Sequence, residues 1–387
     1  MLIRKCGFIL SCLLLNVESP AQHATTEQDP NAIHFRMQRV STEAYESVGA
    51  FDVDGDGVQD LVSGGSWYKG PTYTRRLDIR EVKRTGEYFD DFFTIPLDVN
   101  GDGRMDFIAG GWFGATLYWY ENTGKYDKKW PEHTIATLSN LETARGWDVD
   151  GDGIIEIVPN NLDKPFRVYK LDLDNNGKGK GSFSEHQLYT TQGHGMGFGD
   201  INSDGRKDFI MADGWLEAPA KPFLQPWVWH ADFHFDKASI PVIVTDLNKD
   251  GRSDMIVGNA HGYGLDWLEQ TADAKWKTHK IDAHNSQFHT MEWIDITGDN
   301  VPELLTGKRY RAHNDNDPGS FDDYGLYYYQ WDGEKFTKQV ACYGALGVGK
   351  GTGNYFTVKD LNNDGRPDWV VAGKDGLCVF FNEAVQH

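Results

Sequence analysis

Asp360-Leu361-Asn362-Asn363-Asp364-Gly365-Arg366-Pro367-Asp368-Trp369-Val370-Val371 places oxygen-bearing side chains at alternate positions, puts a glycine after the third, and ends in an apolar run. The pattern Asp-x-(Asp/Asn/Thr)-x-Asp-Gly-x-x-(Asp/Glu) starts again at Asp52, Asp98, Asp148, Asp200, Asp246 and Asp295, the last copy with Asn300 in place of glycine. The copies are 46 to 52 residues apart, with 65 before the last, where an insertion runs from Arg311 to Asp323. Self-similarity at this period is the mark of a β-propeller, one four-stranded blade per copy. The expected fold is therefore all-β, with seven blades and an aspartate loop between strands one and two of each.

The strands around the loops follow the same register. Glycine and aromatic residues open a third strand in most copies, as at Phe166 to Leu171 and Gly376 to Asn382, and an aromatic residue opens a fourth, as at Trp130 to Leu138 and Phe233 to Pro241. The seventh copy lacks a fourth strand, whereas Phe35 to Val40 supplies an unpaired one before the first. The N-terminal strand is thus expected to complete blade seven and close the ring, which removes free sheet edges. The propeller is expected over 33–387, after a linker at 22–32.

Met1-Leu2-Ile3-Arg4-Lys5, an apolar stretch to Val17 and the small residues of Ser19-Pro20-Ala21 read as a secretory leader, 1–21, cut after Ala21. The apolar run is too short for a membrane span. A secreted or periplasmic, non-spanning protein is expected. Its net charge of −20 would be repelled by phosphate backbones, which argues against a nucleic-acid partner. Only Cys342 and Cys378 follow the leader, so the chain is neither a disulfide scaffold nor a CxxC zinc protein.

The loops have the chemistry of a hard dication site, in which carboxylates, amides and a carbonyl converge around a tight turn. The ligands would be Asp52, Asp54, Asp56, the Val58 carbonyl and Asp60 in loop one, Asp98, Asn100, Asp102, Arg104 and Asp106 in loop two, and Asp148, Asp150, Asp152, Ile154 and Glu156 in loop three. Loop four offers Asp200, Asn202, Asp204, Arg206 and Asp208, and loop five offers Asp246, Asn248, Asp250, Arg252 and Asp254. Asp295, Thr297, Asp299 and Glu303 make loop six the weakest, and loop seven has Asp360, Asn362, Asp364, Arg366 and Asp368. Position seven contributes its backbone carbonyl. Several calcium ions are the expected cofactor, and aspartates acting only as turn formers are the alternative.

These loops resemble the FG-GAP or VCBS repeats, in which similar loops bind calcium in propeller blades such as those of integrin α-subunit heads. That resemblance spans nearly the whole chain after the leader, and it implies both the propeller and the calcium.

Loops joining the first two strands project from one face, so function is expected on the other. Six residues before each first aspartate stand Glu46, Phe92, Glu142, His194, Ile240, His289 and Asn354; fifteen after it stand Trp67, Phe113, Asp163, Trp215, His261, Tyr310 and Asp375. His194, His261 and His289 belong to consecutive blades and can hold zinc or another divalent transition metal with one position open; the alternative is a polar lining without metal. Arg145, Arg309, Tyr310 and His313 are the further catalytic candidates. Glu142, Arg311, Lys350, Asn354 and Tyr355 are the candidates for contact with substrate, together with Trp67, Trp112 and Trp215, which either stack on sugar faces or pack between blades.

Gly193-His194-Gly195-Met196-Gly197-Phe198-Gly199-Asp200 and Asn259-Ala260-His261-Gly262-Tyr263-Gly264 make the chain similar to the propeller of aldos-2-ulose dehydratases. In that enzyme type the propeller precedes cupin domains and acts on keto-sugars such as 1,5-anhydrofructose. This sequence ends with the propeller, so no isomerase step and no individual catalytic residue is carried over. The function expected is a secreted carbohydrate-active lyase or dehydratase working by metal-assisted β-elimination on a keto-sugar or a uronate-containing glycan. A noncatalytic glycan- or protein-binding propeller is the alternative.

Overall fold

The structure is a computed structural model that describes residues 32–162 and 164–383. The expected leader and most of the linker fall outside these residues. Seven four-stranded antiparallel sheets form the chain from Ile33 onward. Their inner strands are Gly49–Phe51, Phe93–Leu97, Leu141–Trp147, Met196–Gly199, Ile243–Thr245, Met291–Ile294 and Thr357–Lys359. Blade seven is completed by His34–Ser41, which pairs antiparallel with Leu377–Glu383, and the ring closes where the Val48 amide donates to the Tyr355 carbonyl at 3.2 Å. The β-propeller is the fold expected from the repeat.

Blade four departs from expectation in one strand. Its outer strand is Val228–His230, not Phe233 to Pro241. Phe233 and Phe235 stack on each other, and both pack against the cluster between blades four and five. Burial of these two rings there takes precedence over strand pairing.

Seven hydrophobic clusters hold the propeller, one at each junction between neighbouring blades. Two buried aromatic residues illustrate the rule, Trp67 packing blade one on blade two and Trp369 packing blade seven on blade six. Blades two, four and five add a repeated outer device. Trp119, Trp215 and Trp267 stack on His133, His230 and His279 at 4.2, 4.1 and 4.1 Å, and each imidazole also meets a glutamate on strand three, Glu121, Glu217 or Glu269.

The aspartate loops are tied internally. In every loop the first aspartate accepts backbone N–H groups from the turn that follows, as Asp52 does from Gly55 and Gly57 at 2.7 and 2.8 Å. The ninth residue is buried and clamps two strands. Asp60 accepts the N–H of Val53 and that of Gly70, and Asp106, Asp208 and Asp368 repeat the arrangement. A buried carboxylate that satisfies otherwise orphaned amides, two where the residue is aspartate and one at Glu156 and Glu303, explains why this position is acidic in all seven copies.

Cys342 and Cys378 are unbridged. Among the described residues no helix is long and apolar enough to cross a membrane.

Candidate functional site

The residues six positions before the loops converge on the central channel, and all seven are buried. His194 stands before the inner strand of blade four, where Gly195 has φ +120° and a Cβ there would meet that of Ala238 at 2.5 Å. Glycine permits both the conformation and the close approach. The Ala238 carbonyl thereby lies 3.0 Å from His194 Nδ1. Because a carbonyl only accepts, Nδ1 carries the proton and Nε2 presents a lone pair.

His261 follows strand two of blade five. Its Nδ1 lies 3.1 Å from Asp317 Oδ2 and its Nε2 lies 2.8 Å from His194 Nε2. The carboxylate accepts a hydrogen bond from Nδ1–H, so the Nε2 lone pairs of His261 and His194 face each other. Beside them Glu142 Oε1 is 3.9 Å from His194 Nε2 and 2.9 Å from His289 Nε2. Glu142, His194, His261 and His289 each offer one donor atom, all within 4.8 Å of one another. A divalent ion placed there would relieve the opposed lone pairs, and the Ala238 carbonyl and Asp317 fix both rings from behind, as outer partners of metal-bound histidines do. His289 donates from Nε2 to Glu142, which makes Glu142 the carboxylate member of a two-histidine, one-carboxylate set and His289 either its support or a fourth ligand.

The electrostatics suit this role. Burial keeps His194, His261 and His289 neutral, with His289 pushed down to about 3 by burial and by the Arg309 charge. Burial alone would raise Glu142, but the hydrogen bond from His289, the imidazoles of His194 and His289 beside it and the Arg309 charge outweigh it and hold the carboxyl well below its ordinary range. Arg309, itself 1% exposed, lies 3.4 Å from Glu46 Oε1 and 3.5 Å from Glu142 Oε1.

A cavity of ≈ 300 Å³ opens over Glu142 and Arg309, walled by Tyr88, Phe92, Trp112, Phe113, His313 and Asn314. His313 enters on the blade-six insertion, where Arg311, His313, Asn314 and Asp315 all have φ between 48° and 62°. Such a run of left-handed residues persists only where contacts impose it. The His313 amide donates to the Tyr88 hydroxyl at 2.6 Å, Lys374 Nζ donates to the Arg311 carbonyl at 2.7 Å, and Arg311 pairs with Glu87. His313 lies parallel to His261 with ring centres 4.3 Å apart, and its Nδ1 is 2.9 Å from Asp317 Oδ2.

Several other candidates lie elsewhere. Trp67 is in the junction of blades one and two, and Trp215 stacks on His230 and donates to Asp232. Tyr310 stacks on Tyr324 and its amide donates to Thr352. Lys350 is paired with Asp375. Arg145 crosses the channel interior to Glu292, Thr290 and the Ile240 carbonyl and lies over the Tyr355 ring. Asn354 donates to the Glu142 carbonyl. Asp163 lies outside the described residues. Asp317, which orients two histidines, and Tyr88, which anchors the insertion, were not signalled by the repeat, because one sits inside the insertion and the other in a hairpin between blades one and two.

Comparison with known proteins accords with the loop spacing. Residues 98–159, holding loops two and three, match the FG-GAP-like repeat. The chain is a seven-bladed β-propeller that carries an FG-GAP-like repeat match at 98–159. No curated protein matches it. Among solved structures, BBS1N in complex with ARL6DN is similar over 91% of this chain and 97% of its own, at 11% identity and a TM-score of 0.51, which reflects the fold. An Agrocybe aegerita lectin that recognises non-reducing terminal N-acetylglucosamine aligns at 17% identity and a TM-score of 0.45, covering 77% of this chain and 81% of its own. A Lactobacillus plantarum protein aligns at 11% identity and 0.47, covering 80% and 86%.

Proposed function

We propose that this propeller is a secreted carbon–oxygen lyase, a dehydratase or uronate lyase, acting on a carbohydrate in the cavity above Glu142. The observation that carries this reading is that Glu142 belongs both to the buried set with His194, His261 and His289 and to the lining of a sugar-sized cavity with aromatic walls. A divalent transition metal held there would polarise a substrate carbonyl or carboxylate and stabilise enolate-like charge.

The chain's own groups have separable tasks. Tyr88, Phe92, Trp112 and Phe113 offer ring faces to the apolar side of a sugar. Arg309 holds Glu142 ionised, so that the carboxylate remains a ligand. His313 donates its Nδ1 proton to Asp317 and keeps its other nitrogen as a base at the cavity wall. That nitrogen would remove the proton next to the carbonyl, the C–H electron pair would form the C=C bond as the β C–O bond breaks, and the protonated imidazole would return its proton to the departing oxygen, which leaves as water or an alcohol. The likeness to aldos-2-ulose dehydratases points to the keto-sugar branch of this reading.

Purified protein incubated with keto-sugars and with uronate polysaccharides should form a conjugated enone or an unsaturated uronate, followed by ultraviolet absorbance. His313→Ala should abolish product while retaining metal. Absence of product from both substrate classes would leave the noncatalytic binding propeller as the better account.

A further inference from the structure

Each aspartate loop except the sixth contains one cation supplied by the chain itself, and the source alternates. In loops two, four, five and seven the arginine at position seven turns back on the loop. Arg104, Arg206, Arg252 and Arg366 pair with Asp102, Asp204, Asp250 and Asp364, while each Nε donates to a backbone carbonyl after or at the end of strand three, at 2.7 to 2.8 Å. Loops one and three carry apolar Val58 and Ile154 at that position. There a lysine reaches in from strand three. Lys69 Nζ pairs with Asp54 and Asp56, and Lys170 Nζ lies 2.9, 2.6 and 2.9 Å from Asp150, Asp152 and Glu156.

The two lysines hold one register position, immediately after the strand-three residues Tyr68 and Tyr169 that pair with Leu61 and Ile157. By the same register the other blades have Glu121, Glu217, Glu269, Gln330 and Phe381 there. Lysine is thus present on strand three only where arginine is missing from the loop, and three of the arginine blades carry glutamate instead. No blade has both cations. Blade six, with Val301 and Gln330, has neither, and among the described residues no ion pair forms in its loop.

We infer that loops one and three are closed by the ammonium groups of Lys69 and Lys170 in place of calcium, so that these blades carry their own counter-ion. Loops one and three have four carboxylates each, the richest donor sets in the chain, and three in each, Asp52, Asp54 and Asp56 in one and Asp148, Asp150 and Glu156 in the other, have donor atoms within 4.8 Å of one another. Those donors are shared with a lysine whose stem is anchored in the sheet. An ammonium at hydrogen-bond distance from several carboxylates and a divalent ion coordinated by the same oxygens exclude each other by charge and by space.

The test is a terbium titration read by sensitised luminescence, with Trp67 as a donor 6.0 Å from Lys69 Nζ. Lys69→Met/Lys170→Met keeps both stems and removes both charges. This variant should bind two more terbium ions per chain than the wild type, and calcium should raise its melting temperature while leaving blades one and three of the wild type unaffected. Equal stoichiometry in wild type and variant would overturn the inference, since it would mean that the metal displaces the lysines. Should the double variant fail to fold, Asp152→Asn serves. An equal loss of melting temperature in calcium and in chelator supports a lysine partner, and a loss confined to calcium overturns it.

Discussion

Glu142→Gln is the most informative single change. Arg309 is fully buried between two carboxylates, Glu46 and Glu142, and the amide retains an oxygen for the His289 donor while removing one of the two countercharges. Stranding a buried charge outright costs about 3–5 kcal/mol, and because Glu46 remains at 3.4 Å roughly half of that is expected here, ~2 kcal/mol. With an unfolding entropy of ~2.1 cal/mol/K per residue spread over the propeller, this lowers Tm by about 3 °C. Calorimetry of chelated wild type and variant measures the difference without any contribution from bound metal. The same substitution should weaken transition-metal retention by more than the ~10–100-fold typical of an outer partner, because a ligand is lost. An unchanged Tm together with unchanged metal affinity would refute the assignment of Glu142 as the charge centre of the site.

Other consequences follow from particular contacts. Lys374 is pushed down to about 8, chiefly by burial, with the Arg309 and Arg311 charges adding to it. Its folded value lies below its unfolded one, so its contribution is favourable above pH ~10.5 and is lost as pH falls through about 8, a penalty on the order of 3 kcal/mol at neutral pH. Lys374→Met should therefore raise Tm at pH 7 and lose that advantage above pH ~10.5 in a pH series of melts. Asp60→Ala orphans the buried amides of Val53 and Gly70, and urea denaturation should show a loss of about 2–5 kcal/mol. Trp112→Ala should weaken substrate binding with little effect on the urea midpoint, whereas Trp67→Ala, in the junction of blades one and two, should cost about 3–5 kcal/mol.

The architecture was legible in the sequence because each blade repeats one set of packing and turn requirements. The blade count and the loop positions follow from the spacing of the first aspartates, and closure by the N-terminal strand follows from the unpaired fourth-strand pattern at Phe35 to Val40. The site was legible only as far as that register extends. Residues six before each loop enter the inner strands, all of which line one channel, so Glu142, His194 and His289 come together as indexed. Residues fifteen after the loop have no such common fate. Where the turn after strand two is short, as in blades one and four, that residue already lies in strand three, and Trp67 and Trp215 point between blades. Where the turn is longer, as at Phe113 and His261, it reaches the cavity or the buried cluster. Asp317 and His313 belong to the insertion, whose path depends on its contacts with Tyr88, Glu87 and Lys374. No periodicity encodes such contacts. The lysines of loops one and three could have been read beside the arginines of the others, but only strand register reveals that the two stand in for one another.

Elemental analysis of the purified chain tests the central claim most directly. One transition-metal ion per chain in the wild type, lost in a folded His194→Ala/His261→Ala variant, is the result the proposed function predicts. A wild type that takes up no transition metal when supplied with it, or a variant that keeps the same content, would contradict it.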